Sequence, residues 1–185
     1  MPLLPSKNEL MTMKKDRPHF ETNRLHLDKL VYADNAFFIE LVNSPEWLKY
    51  IGDRNIHTQK DARAQIKKIK DNPSSNYWVV RLKDQGIPIG IITFIKRSYL
   101  DHYDIGFAFF SKYGKKGYAY EATTEVLRSV LTDHRHTRIL AITISANANS
   151  IKLIEKIGLK FWKEIQVEND PLLLYSVKAS DLVSH

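Results

Sequence analysis

The segment from Asp104 to Ala122 constrains the fold of this chain more than any other. Residues 104–110 form an apolar run that predicts a strand, and the residues after Gly117 have the spacing of a helix. A loop of lysine and glycine lies between them. The first turn of a helix leaves backbone N–H groups unpaired and carries a partial positive charge. A strand, a glycine loop and a helix in this order therefore predict a site for phosphate groups at residues 111–120.

The composition of this loop agrees with an anion site. Gly114 and Gly117 allow a phosphate to approach the backbone closely, because they have no side chain. Lys112, Lys115 and Lys116 add positive charge around it. An ordinary strand-to-helix turn that happens to contain glycine is the alternative interpretation.

The length and composition predict one domain and exclude several classes of site. A chain of 185 residues can bury a core that needs no disulfide staples, and we expect a single domain over residues 19–185. Residues 1–18 contain three prolines and no periodicity, which predicts a loosely ordered arm. The absence of cysteine excludes disulfides, thiolate metal sites and cysteine nucleophiles. The seven histidines are scattered, so no metal site is expected.

The charge and hydropathy indicate where the protein acts and what it binds. No apolar run approaches the roughly 20 residues of a membrane span, and the N-terminus lacks the apolar core of a signal peptide. We therefore expect a cytoplasmic protein without a membrane partner. The net charge of +7 is dispersed along the chain, which suits an acidic cofactor or a solvated basic surface better than a nucleic-acid patch.

Hydrophobic periodicity predicts a mixed α/β (α+β) protein with an antiparallel middle and one βαβ crossover. The expected sheet has six to seven strands and about four flanking helices. The strands are predicted at residues 21–30, 77–82, 87–95, 103–110, 138–144, 161–167 and 172–177. The helices are predicted at residues 34–42, 58–72, 118–133 and 149–157, the second of them starting with a Thr58–Asp61 capping box.

This order of elements resembles the GNAT superfamily of acetyl-CoA-dependent N-acetyltransferases. The nearest branch contains the bacterial ribosomal-protein N-terminal acetyltransferases, and the resemblance covers about residues 20–180. Each motif alone is weak, but several of them in order at the right spacing are specific. The motifs are Phe20-Glu-Thr-Asn-Arg-Leu25, Asp104-Ile-Gly-Phe-Ala-Phe109, Gly117-Tyr-Ala-Tyr-Glu-Ala122, Asn147-Ala-Asn-Ser150 with Glu155-Lys-Ile-Gly158, and Leu174-Tyr-Ser-Val177.

The resemblance implies a GNAT fold that holds acetyl-CoA at the glycine loop. In the family the loop reads Gln/Arg-x-x-Gly-x-Gly/Ala, and its N–H groups hold the pyrophosphate. Gly117 and Ala119 match the last two places, whereas Gly114 stands where Gln or Arg is usual. Lys115 or Lys116 is expected to replace the lost charge. The predicted loop contacts are therefore Gly114, Lys115, Lys116, Gly117, Tyr118 and Ala119.

The family also implies that the strand at 104–110 splays from the strand at 138–144, through a bulge, and that pantetheine enters the gap. The N–H of Phe109 or of its neighbour Phe110 would then polarise the thioester carbonyl. Simple core packing is the alternative for both side chains. Asn147 matches an asparagine that family members place against the cofactor, but a helix cap is an equally good interpretation.

The catalytic residues are predicted less directly. The tyrosine that many relatives use to protonate the leaving thiolate would stand at Ile154, which cannot donate a proton. Some members of the ribosomal branch use a serine at the place of Ser150, so Ser150 is the first candidate acid, with a cap as the alternative. Glu168 is the first candidate base, followed by Glu164 and Asp104, although each also suits an ordinary surface or turn position.

The expected activity is acetyl transfer from acetyl-CoA to a primary amine, either a protein N-terminus or a small amine, by direct attack on the thioester. Residues 47–51 and 52–57 are expected to form a wall of the acceptor pocket or a packed helical corner. A dinucleotide-dependent oxidoreductase is disfavoured, because the loop lacks G-x-G-x-x-G and the strand ending near Ile144 has no terminal carboxylate. A non-catalytic acyl-CoA-binding or RNA-associated module stays open, as do ribosome association and the choice between monomer and homodimer.

Overall fold

The computed structural model describes residues 19–132 and 135–182, and within them eight strands form one sheet. The strands are β1 Phe20–Glu21, β2 Leu25–Lys29, β3 Ser75–Leu82, β4 Pro88–Ile95, β5 Asp104–Phe109, β6 Arg138–Thr143, β7 Lys160–Val167 and β8 Asp170–Lys178. The helices are α1 Asn35–Val42, α2 Pro45–Tyr50, α3 Gln59–Asp71, α4 Tyr118–Thr132, α5 Ala148–Lys156 and α6 Ala179–Leu182. The predicted arm at residues 1–18 lies outside the described residues.

The α+β class and the order of elements are confirmed, although the described residues contain one strand and two helices, α2 and α6, beyond those predicted. The predicted first strand is two strands, because the chain turns back between them and pairs Phe20 with Leu27. Helix α2 overlaps residues 47–51, for which the sequence predicts only a pocket wall or a packed helical corner. The structure places Pro45 in its first turn. The N–H groups of a first turn have no partner within the helix, so proline, which lacks an N–H, costs the helix no hydrogen bond there.

The start of α3 is as predicted. The Thr58 hydroxyl accepts a hydrogen bond from the Asp61 N–H at 3.2 Å, and the Asp61 carboxylate accepts one from the Thr58 N–H at 2.9 Å. This reciprocal pair satisfies two N–H groups that a helix start otherwise leaves free. It aligns the helix so that Ala62, Ile66 and Ile69 are buried.

Within the described residues, the two larger hydrophobic cores lie on opposite faces of the sheet, and a smaller third cluster surrounds Leu140 of β6. The strand order of the sheet is β1-β2-β3-β4-β5-β6-β8-β7, and every neighbouring pair is antiparallel except β5 and β6. Val126 of α4 and Ile154 of α5 are buried in the core on one face. Phe38 of α1 and Ile66 of α3 are buried in the core on the other face.

The parallel strands β5 and β6 separate almost as soon as they meet. They share one residue pair, Asp104 with Leu140, whereas β5 makes six pairs with β4, and β6 makes six with β8. The predicted splay is confirmed, but the predicted bulge is wrong, because the β4–β5 register runs without a shift from Gly90–Phe109 to Ile95–Asp104. Each strand follows its own antiparallel partner, and the twist of the sheet then opens the gap.

Candidate active site

The register of β5 decides which backbone groups face the gap. The Phe110 N–H donates to the Ile89 carbonyl of β4 at 3.1 Å, and the Tyr103 carbonyl accepts from the Leu140 N–H of β6 at 2.9 Å. Because backbone groups alternate along a strand, even-numbered residues of β5 face β4 and odd-numbered residues face β6. The N–H of Phe109 therefore points into the gap.

The two candidate phenylalanines differ in what they can offer a ligand. Both backbone groups of Phe110 are already paired, since its carbonyl accepts from the Tyr113 N–H at 3.0 Å. Its ring is buried and meets Phe37 edge to face at 5.8 Å. Phe109 is half-buried against the core beneath α4. The structure thus gives Phe110 a packing role and leaves Phe109 as the backbone donor at the gap.

The glycine loop has a backbone shaped for an anion. A 3-10 turn at Ser111–Tyr113 is followed by Gly114, whose N–H donates to the Ser111 carbonyl at 2.8 Å. Lys115 has φ 59° and Gly117 has φ 81°, both left-handed, immediately before α4 begins at Tyr118. Left-handed residues next to ordinary ones turn successive N–H groups toward a common concavity. A lysine in this conformation costs about 1 kcal/mol, so the loop is locally strained at the predicted site.

The lysines of the loop are on its surface. Lys112, Lys115 and Lys116 are exposed. The Lys112 ammonium lies 3.9 Å from the Glu40 carboxylate and contacts the rings of Phe110 and Tyr113. Of the three lysines, Lys112 is thus partly neutralised by a carboxylate.

The start of α5 follows the end of β6, at the same end of the gap as the glycine loop. The Asn147 side-chain oxygen accepts from the Ser150 N–H at 3.1 Å and caps the helix. Within the part of the chain that the structure describes, the Asn147 amide nitrogen and the Ser150 hydroxyl make no hydrogen bond. Both remain free to donate. Ile154 is packed in the core with 1% of its surface exposed.

The three candidate carboxylates lie in different surroundings. Glu168 is exposed at the tip of the β7–β8 hairpin with φ 55°, and Glu164 is exposed on β7. Glu168 follows β7, and because β8 lies between β6 and β7, β7 is about two strand spacings, roughly 10 Å, from β6. The structure therefore does not bring Glu168 into contact with Ser150.

Asp104 is the carboxylate closest to the point where β5 and β6 separate, and it is 1% exposed. Arg97 donates to it twice, from Nε to Oδ1 at 2.8 Å and from Nη2 to Oδ2 at 3.4 Å. Burial raises the pKa of Asp104, and the charge and hydrogen bonds of Arg97 oppose that rise. Because both oxygens are occupied, Asp104 serves first as half of a buried ion pair.

Arg24 lies beside the glycine loop, although the sequence patterns did not predict it there. It follows β1 in the chain, and its side chain reaches the start of α4 beside Gly117. It lies 97 residues from its ion-pair partner Glu121. The one local signal is its place in the motif at residues 20–25, which carries no information about a contact so distant in sequence.

Two further properties concern membranes and metals. Among residues 19–132 and 135–182, no helix is long and apolar enough to cross a membrane. The same residues contain no group of three or more His, Cys, Asp or Glu side chains placed to hold a metal ion.

The acetyltransferase (GNAT) domain model matches residues 24–160 of this sequence. The chain belongs to the GNAT acetyltransferase family. An uncharacterised N-acetyltransferase of Bacillus subtilis, YnaD, is 30% identical over 142 residues, which are 77% of this chain and 82% of YnaD. As a GNAT protein, the chain is an acetyl-CoA-dependent acyltransferase by family.

Solved structures share the fold of this GNAT protein at low sequence identity. A ribosomal-protein-S5-alanine acetyltransferase from Vibrio fischeri matches with a TM-score of 0.73 and 19% identity, covering 88% of this chain and 97% of that one. A spermidine N-acetyltransferase from Vibrio cholerae, solved with CoA and spermine, matches with a TM-score of 0.75 and 16% identity. The match covers 88% of this chain and 100% of that one. The two similarities are nearly equal, so the fold does not separate the two acceptor classes.

The residues of this GNAT protein fit the phosphates and thioester of coenzyme A. The left-handed backbone at Lys115 and Gly117 turns N–H groups outward at the start of α4. The gap beside Phe109 offers a backbone donor on a strand edge that β6 leaves unpaired. Gly117 has no side chain to hinder a phosphate. A Cβ added there would lie 3.4 Å from Arg24 Nη2, so the glycine keeps the space beside that guanidinium free.

Proposed function

We propose that this protein transfers an acetyl group from acetyl-CoA to a primary amine, by direct attack of the amine on the thioester. The observation that carries the proposal is the gap between β5 and β6, which opens after the Asp104–Leu140 pair and ends at the glycine loop. Acetyl-CoA supplies an activated acetyl group as a thioester. The residues of the chain bind and orient it, remove a proton from the acceptor amine and donate a proton to the departing thiolate.

In this proposal the loop N–H groups from Lys115 to Ala119 hold the pyrophosphate, and Lys115 and Lys116 add charge. The N–H of Phe109 donates to the thioester carbonyl, because it faces the gap while the N–H of Phe110 is bonded to Ile89. The free amide nitrogen of Asn147 donates to the pantetheine. The glycine at position 114 contributes only backbone.

Ser150 is the proposed acid for the departing thiolate. Its hydroxyl makes no hydrogen bond within the described residues, and it stands at the start of α5, at the open end of the gap. Since a thiol has a reference pKa near 8.5, partial protonation is enough, and Ser150→Ala is expected to lower kcat about tenfold. The Kd of coenzyme A should not change by more than twofold, which titration calorimetry would check. An unchanged kcat would reject the acid role.

Glu168 is the proposed base for the acceptor amine, through a water molecule, since it is exposed at the hairpin tip. An α-amine with a reference pKa near 8 is neutral at pH 7 at a cost of about 1–1.5 kcal/mol, whereas a lysine costs about 4–5. Glu168→Gln should therefore lower kcat/KM for an α-amine roughly tenfold at pH 7 and hardly at all at pH 9. A pH–rate profile measures this, with Glu164→Gln on β7, the strand that leads to the hairpin tip, as the control. An equal loss at both pH values would argue against a base.

The acceptor class follows from the same argument. We infer that α-amines, such as protein N-termini, are favoured over lysine side chains and polyamines because less work is needed to deprotonate them. The neighbours of similar fold include both a ribosomal-protein-alanine acetyltransferase and a spermidine acetyltransferase. A ribosomal N-terminus is accordingly within the proposed class.

The experiment that tests the proposal joins binding to turnover. Purified protein is titrated with coenzyme A and with acetyl-CoA, and thiol release from acetyl-CoA is then followed with short peptides bearing free N-termini and with spermine. Binding with release in the presence of peptides supports the proposal. Binding without thiol release for any amine would instead favour a non-catalytic acyl-CoA module. In that module the buried Ile154, which cannot donate a proton, would stand where many relatives have a tyrosine acid. No binding would reject both.

A further inference from the structure

Arg24 is held beside the glycine loop by a set of directed contacts. Its Nε donates to Glu121 Oε2 at 2.7 Å, and its backbone N–H donates to Oε1 at 2.9 Å. The Thr22 hydroxyl donates to the same Oε1 at 2.6 Å. The guanidinium carbon stands 4.4 Å from the ring centre of Tyr118, the first residue of α4. The side chain is thus fixed in position although 43% of it is exposed.

The guanidinium also has donors to spare. A Cβ added at Gly117 would lie 3.4 Å from Arg24 Nη2, so the terminal nitrogens border the glycine of the phosphate loop. Only Nε of the side chain donates to a residue that the structure describes. A guanidinium has five N–H donors in a planar fork that matches phosphate oxygens. The terminal nitrogens are therefore available to an anion in the loop.

The carboxylate of Glu121 brings a negative charge close to the proposed phosphate site, and Arg24 is the cation paired with it. Glu121 lies in the first turn of α4 with 19% of its side chain exposed. Although burial acts to raise its pKa, the hydrogen bonds from Thr22 and Arg24 outweigh burial and hold the pKa of Glu121 below its usual range. It is therefore a carboxylate at neutral pH, and its negative charge beside a phosphate site would repel the ligand unless a cation neutralises it.

We propose that Arg24 is a cofactor-binding residue whose terminal guanidinium nitrogens donate to a phosphate of coenzyme A. It supplies from the turn between β1 and β2 the positive charge that Gly114, lacking a side chain, cannot supply from the glycine loop. The inference rests on the proposed function. The phosphate is either the pyrophosphate or the ribose 3′-phosphate, which share the chemistry that a guanidinium recognises.

The test compares two substitutions that break the same ion pair from opposite sides. Arg24→Gln removes the charge but keeps a long polar side chain, and Glu121→Gln removes the carboxylate but leaves Arg24 in place. Coenzyme A binding is measured by calorimetry. A charge-assisted hydrogen bond predicts that Arg24→Gln raises Kd about tenfold or more. Glu121→Gln should bind coenzyme A at least as tightly as the wild type, because a negative charge is gone.

A purely structural clamp predicts a different pattern. If Arg24 only holds the loop through Glu121, both substitutions should weaken binding to the same extent, and that result would overturn the proposal. An Arg24→Gln protein that binds like the wild type would overturn it too. Arg24→Lys, which keeps the charge but not the planar fork, should fall between the wild type and Arg24→Gln. It also serves as the test if Arg24→Gln does not fold, with folding checked by thermal melting.

Repeating the titrations with dephospho-coenzyme A identifies the phosphate. A loss on Arg24→Gln that is equal for both ligands assigns the contact to the pyrophosphate. A loss that disappears with dephospho-coenzyme A assigns it to the 3′-phosphate. Wild-type protein that binds neither ligand would instead reject the proposed function itself, so the two failures are distinguishable.

Discussion

Replacing Gly117 by glutamate is expected to abolish binding of coenzyme A. The substitution forces a side chain into a left-handed position with φ 81° and directs a carboxylate into the loop that is proposed to hold phosphates. A Cβ there would already stand 3.4 Å from Arg24, and the new negative charge would compete for that guanidinium. We expect Kd to rise at least 100-fold, equivalent to about 2.8 kcal/mol, as measured by titration calorimetry.

Gly86 offers a matched control for this experiment. It has φ 66° in the turn between β3 and β4, and a Cβ added there meets no atom within 4 Å. Gly86→Glu therefore imposes the same class of backbone strain, on the order of 1 kcal/mol, and the same charge change at a position outside the glycine loop. It should bind coenzyme A like the wild type. Equal loss of affinity in both variants would show that strain, and not the loop site, is responsible.

Replacing Arg97 by methionine is expected to destabilise the fold more than any other single change considered. It leaves the Asp104 carboxylate buried without the guanidinium that pairs with both of its oxygens. Removing one partner of a buried ion pair costs about 3–5 kcal/mol. For a chain of this size that corresponds to a fall in Tm of roughly 6–20 °C, since each kcal/mol shifts Tm by about 2–4 °C. Thermal melting followed by circular dichroism measures it.

The pH dependence of this loss has a definite sign. Burial raises the pKa of Asp104 in the folded protein. A carboxyl group whose pKa is higher in the folded protein than in the unfolded protein stabilises the fold most at pH values below its unfolded-state pKa. That stabilisation is lost as the pH rises through its folded-state pKa. Arg97→Met should thus be less destabilised at pH 5 than at pH 8, and adding Asp104→Asn should restore much of the loss at pH 8.

An exposed ion pair provides the contrast for Arg97. Lys67 and Asp71 lie one turn apart on α3 at 2.5 Å, with 65% and 60% of their side chains exposed. Such pairs contribute about 0.3–0.5 kcal/mol, so Lys67→Met should leave Tm nearly unchanged. A comparable fall in Tm for both variants would mean that the Asp104–Arg97 pair gains nothing from its burial.

Local patterns predicted most of the elements because short-range physics forms them. The capping box at Thr58 and Asp61, the hairpin of β3 and β4 and the glycine loop before α4 each depend on residues close together in sequence. The family motifs added the splay of β5 from β6. The bulge was wrong because register depends on pairing between strands, which the pattern of one strand does not record.

The sequence by itself determined the α+β class, the order of the elements and the glycine loop. These follow from periodicity, from turn chemistry and from residue identity, all of which are local. Only the tertiary structure decided that Phe109 rather than Phe110 faces the gap, that Asp104 is locked to Arg97, and that Arg24 stands beside Gly117. Those facts arise where strands and helices far apart in the chain pack together, and packing of that kind leaves no periodic signal in the sequence.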